Sequence, residues 1–327
     1  MAQTAHAFSY DGDDDRVAAD VRASLLAPTP HLPSKYFYDD RGSGLFEEIT
    51  RTPEYYQTRT EEEILRSCAY NVVARVAPQE LVELGGGVSP KMRLLLDAMK
   101  RAGSLRRCLL FDIHRGSVEN ALAQVGREYP GVAARGLVGD FLGDLSAFGP
   151  GGRRLIAFLG GTIGNLHPDE EVPGFLARLR DQMADGDGLL VGLDLVKDTA
   201  EIERAYNDAQ GVTAAFNLNL LDVMNRRLHA DFDPRAFSHV AFYDERRAWI
   251  EMRVRSKRAQ VVDVPGADVT LHFDEGDELR TEISCKYTRS SFARKLPAAG
   301  LRLDAWYTDP RGLFALALVR PAYRVQG

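Results

Sequence analysis

Between residues 60 and 194, short apolar runs alternate with stretches of helical period, and few folds accept that pattern. Glu61–Val76 carries Ile64, Leu65, Cys68, Val72, Val73 and Val76 at helical spacing, with Thr58 or Thr60 as candidate N-caps. The apolar run Leu81–Leu84 enters Gly85-Gly86-Gly87, and a helical stretch follows over Pro90–Ala102. A second run, Cys108–Phe111, ends at Asp112; after the helical stretch Val118–Glu128, a third, Ala133–Val138, ends in the turn Gly139-Asp140. Leu155–Leu159 precedes a glycine-rich segment that ends at Gly164-Asn165, a helix is expected near Glu170–Met183, and Leu189–Leu193 closes the series at Asp194. Runs this short and this apolar read as strands covered on both faces, so five of them alternating with helices predict a doubly wound, parallel α/β sheet.

After Asp198 the alternation stops. Glu201–Arg227 reads as helical, and Val240–Val262, Val269–Phe273 and Glu278–Tyr287 as strand-rich. A helix over Ser291–Ala299 and two apolar strands, Leu301–Tyr307 and Leu313–Val319, complete the chain, and the short turn Asp309-Pro310-Arg311-Gly312 makes those strands antiparallel. A doubly wound sheet finished by an antiparallel hairpin resembles the class I, Rossmann-like methyltransferases. The expected organisation is a flexible N-terminus (1–20), a methyltransferase-like domain (60–197 plus 286–327), and an α+β substrate-binding domain (21–59 plus 198–285) formed by an insertion and the N-terminal segment.

Composition narrows the function. The 327 residues carry a net charge of −6, and no Lys/Arg cluster is long enough to track a phosphate backbone, which argues against nucleic acid and anionic membranes. Cys68, Cys108 and Cys285 are odd in number and widely spaced, pointing to neither a disulfide framework nor zinc. With no signal-like N-terminus and no apolar run of membrane-spanning length, a cytoplasmic protein is expected. Asp11, Asp13 and Asp15 alternate as calcium ligands would, but Arg16 and Arg22 stand where such a loop needs its glycine and closing Glu.

Candidate chemistry begins at V-E-L-G-G-G, where a glycine turn beyond the first strand lets a ligand approach the backbone. Packing alone also produces such turns. Asp112, at the end of the second strand, stands where ribose-binding acids belong, and Asp140-Phe141 offers an acid and an aromatic for an adenine. Ordinary turn chemistry accounts for any one of these. GGGVSPKM does not supply G-x-G-x-x-G, which disfavours a nicotinamide cofactor against S-adenosylmethionine.

The segments 35-KYFYDDRGSGLFEEITRTPEYYQTRTE-61, 82-VELGGGVSPK-91, 139-GDF-141, 158-FLGGTIGNL-166, 194-DLVKDT-199, 205-AYNDAQGVTAAFN-217 and 281-TEISCKY-287 resemble the histidine Nα-methyltransferases of ergothioneine biosynthesis, from about residue 20 to the C-terminus. That resemblance implies an S-adenosylmethionine site built from Gly85, Gly87, Lys91, Asp112, Asp140 and Phe141, with no metal. The third glycine, Gly86, and Pro90 before Lys91 depart from the family pattern. It also implies a site for L-histidine between the lobes, using Tyr38, Tyr55, Asn165, Tyr206, Met252, Glu282 and Ser284, with Tyr38 and Tyr55 nearest the chemistry. Asn165 and Tyr206 would hold the substrate carboxylate as donors. Glu282 and Ser284, two apart on a strand, would share one face and read the imidazole. Taken singly, Tyr55-Tyr56 beside Pro53 also fits a packed aromatic turn, Lys91 a surface lysine, Tyr206 a core tyrosine and Glu282 a solvated strand face.

The implied reaction is in-line transfer of methyl from S-adenosylmethionine to the neutral α-amine, repeated to the trimethylated betaine hercynine, the first step of ergothioneine biosynthesis, in a monomer. The alternatives are N-methylation of another amino acid such as tryptophan, against which Glu282 and Met252 argue, and a non-catalytic S-adenosylmethionine-binding protein.

Overall fold

The computed structural model describes residues 4–7, 14–85, 89–143, 145–149 and 152–322. In chain order its elements are β1 (Thr4–Ala7), α1 (Asp14–Leu25), α2 (Asp40–Ile49), α3 (Gln57–Val76), β2 (Glu80–Leu84), α4 (Pro90–Arg101), β3 (Arg107–Asp112), α5 (Arg115–Glu128), β4 (Ala133–Val138), β5 (Arg154–Phe158), α6 (Val172–Asp181), β6 (Gly188–Asp194), α7 (Thr199–Tyr206), α8 (Val212–Leu228), β7 (Phe237–Asp244), β8 (Trp249–Ser256), β9 (Gln260–Val264), β10 (Val269–Phe273), β11 (Glu278–Cys285), α9 (Arg289–Ala293), β12 (Leu301–Thr308) and β13 (Phe314–Pro321). The chain divides into two units: β1, Gln57–Val196 and the segment from Lys286 onward form the first, and the segment from α1 to Tyr56 with Lys197–Cys285 forms the second.

In the first unit the strands lie in the order β1-β4-β3-β2-β5-β6-β13-β12. Pairing is parallel from β1 to β6, and β13 and β12 are antiparallel additions. β2, β5 and β6 are buried at every residue, their mainly apolar runs interrupted by Glu80 and Glu83 in β2, Arg154 in β5 and Asp194 in β6. The apolar stripe of α3 (Ile64, Leu65, Cys68, Val72, Val73) joins Leu95, Leu96 and Met99 of α4 and Phe314, Leu316 and Leu318 of β13 in one core. Winding runs outward from β2 to β3 and β4, then returns to the other side of β2 for β5 and β6. The carboxyl ends of β2 and β5 therefore flank the point where strand order reverses, which is where open α/β sheets bind ligands.

The 89-residue passage through the second unit leaves and re-enters the first beside a buried ion pair. Lys286 Nζ stands 2.9 Å from Asp194 Oδ2 with both side chains almost wholly buried. Gln57 Nε2 donates to the same oxygen at 3.3 Å. Backbone bonds from Tyr287 N to Asp194 O (2.8 Å) and from Val196 N to Tyr287 O (3.0 Å) close the junction.

The second unit has a three-stranded antiparallel sheet, β11-β8-β7, and the hairpin β9-β10. Helix α8 buries Phe216, Leu220, Leu221 and Met224. The helical stretch expected over 201–227 is two helices, because Gly211 adopts φ +72 and the Asp208 carboxylate caps α8 through Val212 N and Thr213 N.

Three expectations are corrected. Residues 14–20, assigned to a loose terminus, belong to α1, whose Val17, Val21 and Leu25 are buried at i, i+4 and i+8; the surrounding acids masked that stripe. Thr4–Ala7 pairs in parallel with Arg135–Val138, an addition that its short, mixed sequence does not signal. Helix α3 starts at Gln57, so Thr58 and Thr60 lie inside its first turn and are not its caps. Asp11 and Asp13 of the considered calcium pattern lie outside the described residues, and Asp15 is helical.

Candidate active site

At the carboxyl edge of the first unit's sheet, Gly85 ends β2 with φ +74, a conformation that costs other residues a steric clash. Its N–H donates to Phe111 O at 2.8 Å, and the Phe141 ring lies 3.6 Å from where a Gly85 Cβ would stand. Asp112 closes β3, with Oδ1 accepting from His114 N at 2.7 Å. The Asp140 carboxylate accepts from Leu142 N at 2.8 Å, and the Phe141 ring packs edge-on against Phe158 (5.2 Å). Ser89 caps α4, Pro90 occupies its first turn, and Lys91 follows. Five of the six expected cofactor residues thus converge on one edge; Gly87 lies outside the described residues.

The residue that sequence reasoning missed is Glu61. Fully buried on α3, it accepts Gly160 N with both oxygens at 2.9 Å and pairs with Lys91 Nζ at 2.5 Å. A Cβ on Gly192 would lie 2.2 Å from Glu61 Oε1, so glycine in β6 is what admits the carboxylate. Only three-dimensional proximity across 30 and 99 residues of chain marks this role; in sequence Glu61 is one of three successive acids in a helix.

Glu83, on β2, is buried, and its Oε2 has no hydrogen-bond partner among the described residues. Burial pushes its carboxyl well above the usual carboxylate range, against the pull of Lys91 and with the added push of Asp112 and Glu61. A ligand with an amino-acid terminus fits these side chains: the Lys91 ammonium complements a carboxylate, and the orphaned Glu83 oxygen can accept from an ammonium. Because the folded carboxyl titrates above its unfolded counterpart, Glu83 contributes most to stability below the ordinary glutamate range, and that contribution drains away as pH rises toward the folded value. Glu83→Gln should remove this dependence. Urea unfolding of the free protein from pH 5 to 8 should show wild-type stability falling relative to the variant by up to about 1.4 kcal/mol per pH unit. A constant difference would show that Glu83 is ionised throughout.

Asn165 ends the short 3-10 turn Thr162–Asn165 behind β5, on the same carboxyl edge of the sheet. In the second unit, Tyr38 and Tyr55 both meet Phe46 edge-on, at 5.7 and 6.1 Å, and Tyr38 also contacts Phe216. Met252 on β8 pairs directly with Glu282 on β11, and Ser284, opposite Ile250, follows on the same face. Tyr206 ends α7 and is 8% exposed.

A parallel sheet closed by β13 and β12, a glycine turn after its central strand and acids after the next two define a class I S-adenosylmethionine-dependent methyltransferase. An S-adenosylmethionine-dependent methyltransferase from Clostridium acetobutylicum shares this fold at a TM-score of 0.51 and 9% identity, over 86% of this chain and 99% of that one. The chain belongs to the histidine-specific, SAM-dependent methyltransferases, whose family model matches residues 17–321. It is 48% identical to a histidine N-alpha-methyltransferase of Mycolicibacterium smegmatis across 96% of this chain and 98% of that protein. It is also 30% identical to ergothioneine biosynthesis protein 1 of Neurospora crassa across 95% of this chain and 37% of that protein.

Proposed function

We infer that this enzyme methylates the α-amine of L-histidine three times, using S-adenosylmethionine, to give hercynine for ergothioneine biosynthesis. The observation that carries the reading is the match of residues 17–321 to a histidine-specific family. Its arrangement of Gly85, Lys91, Asp112, Asp140 and Phe141 along one sheet edge supports it. No described helix is long and apolar enough to cross a membrane, and the three cysteines are buried and outside any disulfide among the described residues.

On this reading, Lys91, held by Glu61, takes the cofactor's carboxylate, Asp112 takes its ribose hydroxyls, and Asp140 and Phe141 take its adenine. The cofactor supplies a methyl group on a sulfonium that leaves as a neutral thioether, so no residue has to activate the leaving group. Asn165 and Tyr206 donate to the substrate carboxylate. Glu282 and Ser284 bind the imidazole beside Met252. Tyr38 and Tyr55, braced on Phe46, orient the amine so that its lone pair faces the methyl, and their phenol oxygens accept its N–H groups. Each transfer needs a neutral amine: the first two leave a methylammonium that must give up a proton to solvent before the amine can turn its restored lone pair to the next methyl group.

The test is mass spectrometry after incubation with S-adenosylmethionine and an equimolar mixture of the twenty amino acids. The expected product is histidine carrying three additional methyl groups. Methylation of a different amino acid would keep the cofactor and overturn the assignments of Glu282 and Ser284, whereas no methylation would overturn the enzyme reading.

A further inference from the structure

Within the second unit, Tyr206 and the pair Glu282 and Ser284 stand on different elements, joined by an internal chain of hydrogen bonds that the reaction does not use. Asn217, wholly buried on α8, is its centre. Its Nδ2 donates to Arg253 O at 2.9 Å, and that carbonyl can only accept, which fixes the orientation of the amide. The same Nδ2 lies 2.8 Å from His239 Nδ1, so Nδ1 is the acceptor and the imidazole proton resides on Nε2. His239 Nε2 then donates to Tyr206 O at 2.9 Å. On the other side, Thr281 Oγ1, itself buried, donates to Asn217 Oδ1 at 2.6 Å. Thr281 is the extra residue of a register shift in β11, between the pairs Arg280 with Arg253 and Glu282 with Met252. A further bond, Asn207 Nδ2 to Ala241 O at 3.1 Å, ties the end of α7 to β7 two residues beyond His239.

We propose that the chain Tyr206 O, His239, Asn217, Thr281 is a positioning device for the amino-acid substrate, locking the end of α7 to the bulge of β11. It thereby sets the distance between the carboxylate-binding and imidazole-binding side chains and selects an amino acid of the length of histidine. The proposal rests on the assignment of Tyr206, Glu282 and Ser284 made above. Every donor and acceptor in the chain is matched, so the arrangement has one low-energy register; a buried network with one member removed leaves its neighbours unsatisfied. The device also requires a neutral imidazole, since a proton on Nδ1 would face the Asn217 N–H. Burial holds His239 below the ordinary histidine range, opposed by its bond to the Tyr206 carbonyl and by Asp208 before α8. On β8, the Arg253 guanidinium is occupied by Glu251 and Glu278.

The experiment compares the full chain with His239→Phe, which removes both bonds, His239→Gln, which keeps a donor reaching for Tyr206 O, and Thr281→Val, which keeps volume and loses the donor. Steady-state kinetics on histidine and on its homologue one methylene longer are measured with calorimetric binding of S-adenosylhomocysteine. His239→Phe and Thr281→Val should raise KM for histidine about tenfold and lower discrimination against the longer homologue, with kcat and S-adenosylhomocysteine binding changed less than about threefold. His239→Gln should restore most of the loss. The ratio of its KM to that of wild type should fall only once pH drops below the ordinary histidine range, because only the wild type can lose its register by protonation and burial delays that protonation. Unchanged KM and unchanged length discrimination in Thr281→Val would overturn the proposal, even if His239→Phe does not fold. Failure of the unaltered chain to methylate histidine would instead overturn the functional reading, and this inference with it.

Discussion

Glu282→Ala is expected to lower kcat/KM for histidine by roughly a hundredfold, the cost of a charge-assisted hydrogen bond lost from a desolvated site. Binding of S-adenosylhomocysteine should stay within about twofold, since no proposed cofactor contact involves Glu282. The physical basis is the proposed match between a carboxylate acceptor and an imidazole N–H. Met252, directly across the ladder from Glu282, supplies apolar cover on the same face. Once Glu282 is gone, that face offers Met252 and the Ser284 hydroxyl, and the advantage of imidazole over other side chains shrinks. Steady-state kinetics on histidine and tryptophan, with calorimetry for S-adenosylhomocysteine, check both parts. Equal losses in catalysis and in S-adenosylhomocysteine binding would show that Glu282 acts on the fold and not on the substrate.

Asp194→Ala is expected to destabilise the protein by about 3 to 5 kcal/mol, because it leaves the wholly buried Lys286 ammonium without its counter-ion. Asp194→Asn should cost less, since the amide oxygen can still accept from Lys286. Replacing both partners together, Asp194→Leu with Lys286→Met, should recover most of the loss, as removal of a whole buried pair restores an uncharged interior. Denaturant unfolding of the three variants checks this order. A double variant no more stable than Asp194→Ala would mean that the stranded Lys286 charge is not the source of the loss. The pair stands at the junction through which the chain leaves and re-enters the first unit, so loss there should also expose that junction to proteolysis before the core of the sheet opens.

The parallel sheet was legible because its central strands are short and mainly apolar, and the closing hairpin because its turn is too short for a crossover. Gly85, Lys91, Asp112, Asp140 and Phe141 could be named from strand ends and family motifs. Other parts were hidden for identifiable reasons. The buried stripe of α1 is interleaved with acids, the break between α7 and α8 hangs on one capping carboxylate, and β1 has four residues with little apolar signal. Glu61 and the relay through His239, Asn217 and Thr281 depend on residues 22 to 99 positions apart in sequence, where local pattern carries no information.

By itself, then, the sequence determined the alternating strands and helices between residues 60 and 194, and which residue types stand at the carboxyl ends of those strands, because burial period and turn chemistry are local properties of the chain. Tertiary structure alone decided that Glu61 meets Lys91 and Gly160, that Asp194 meets Lys286, and that a bulge turns Thr281 toward Asn217. Buried charges and amides persist only where folding brings partners within hydrogen-bond distance, and that distance is set by strand order and register.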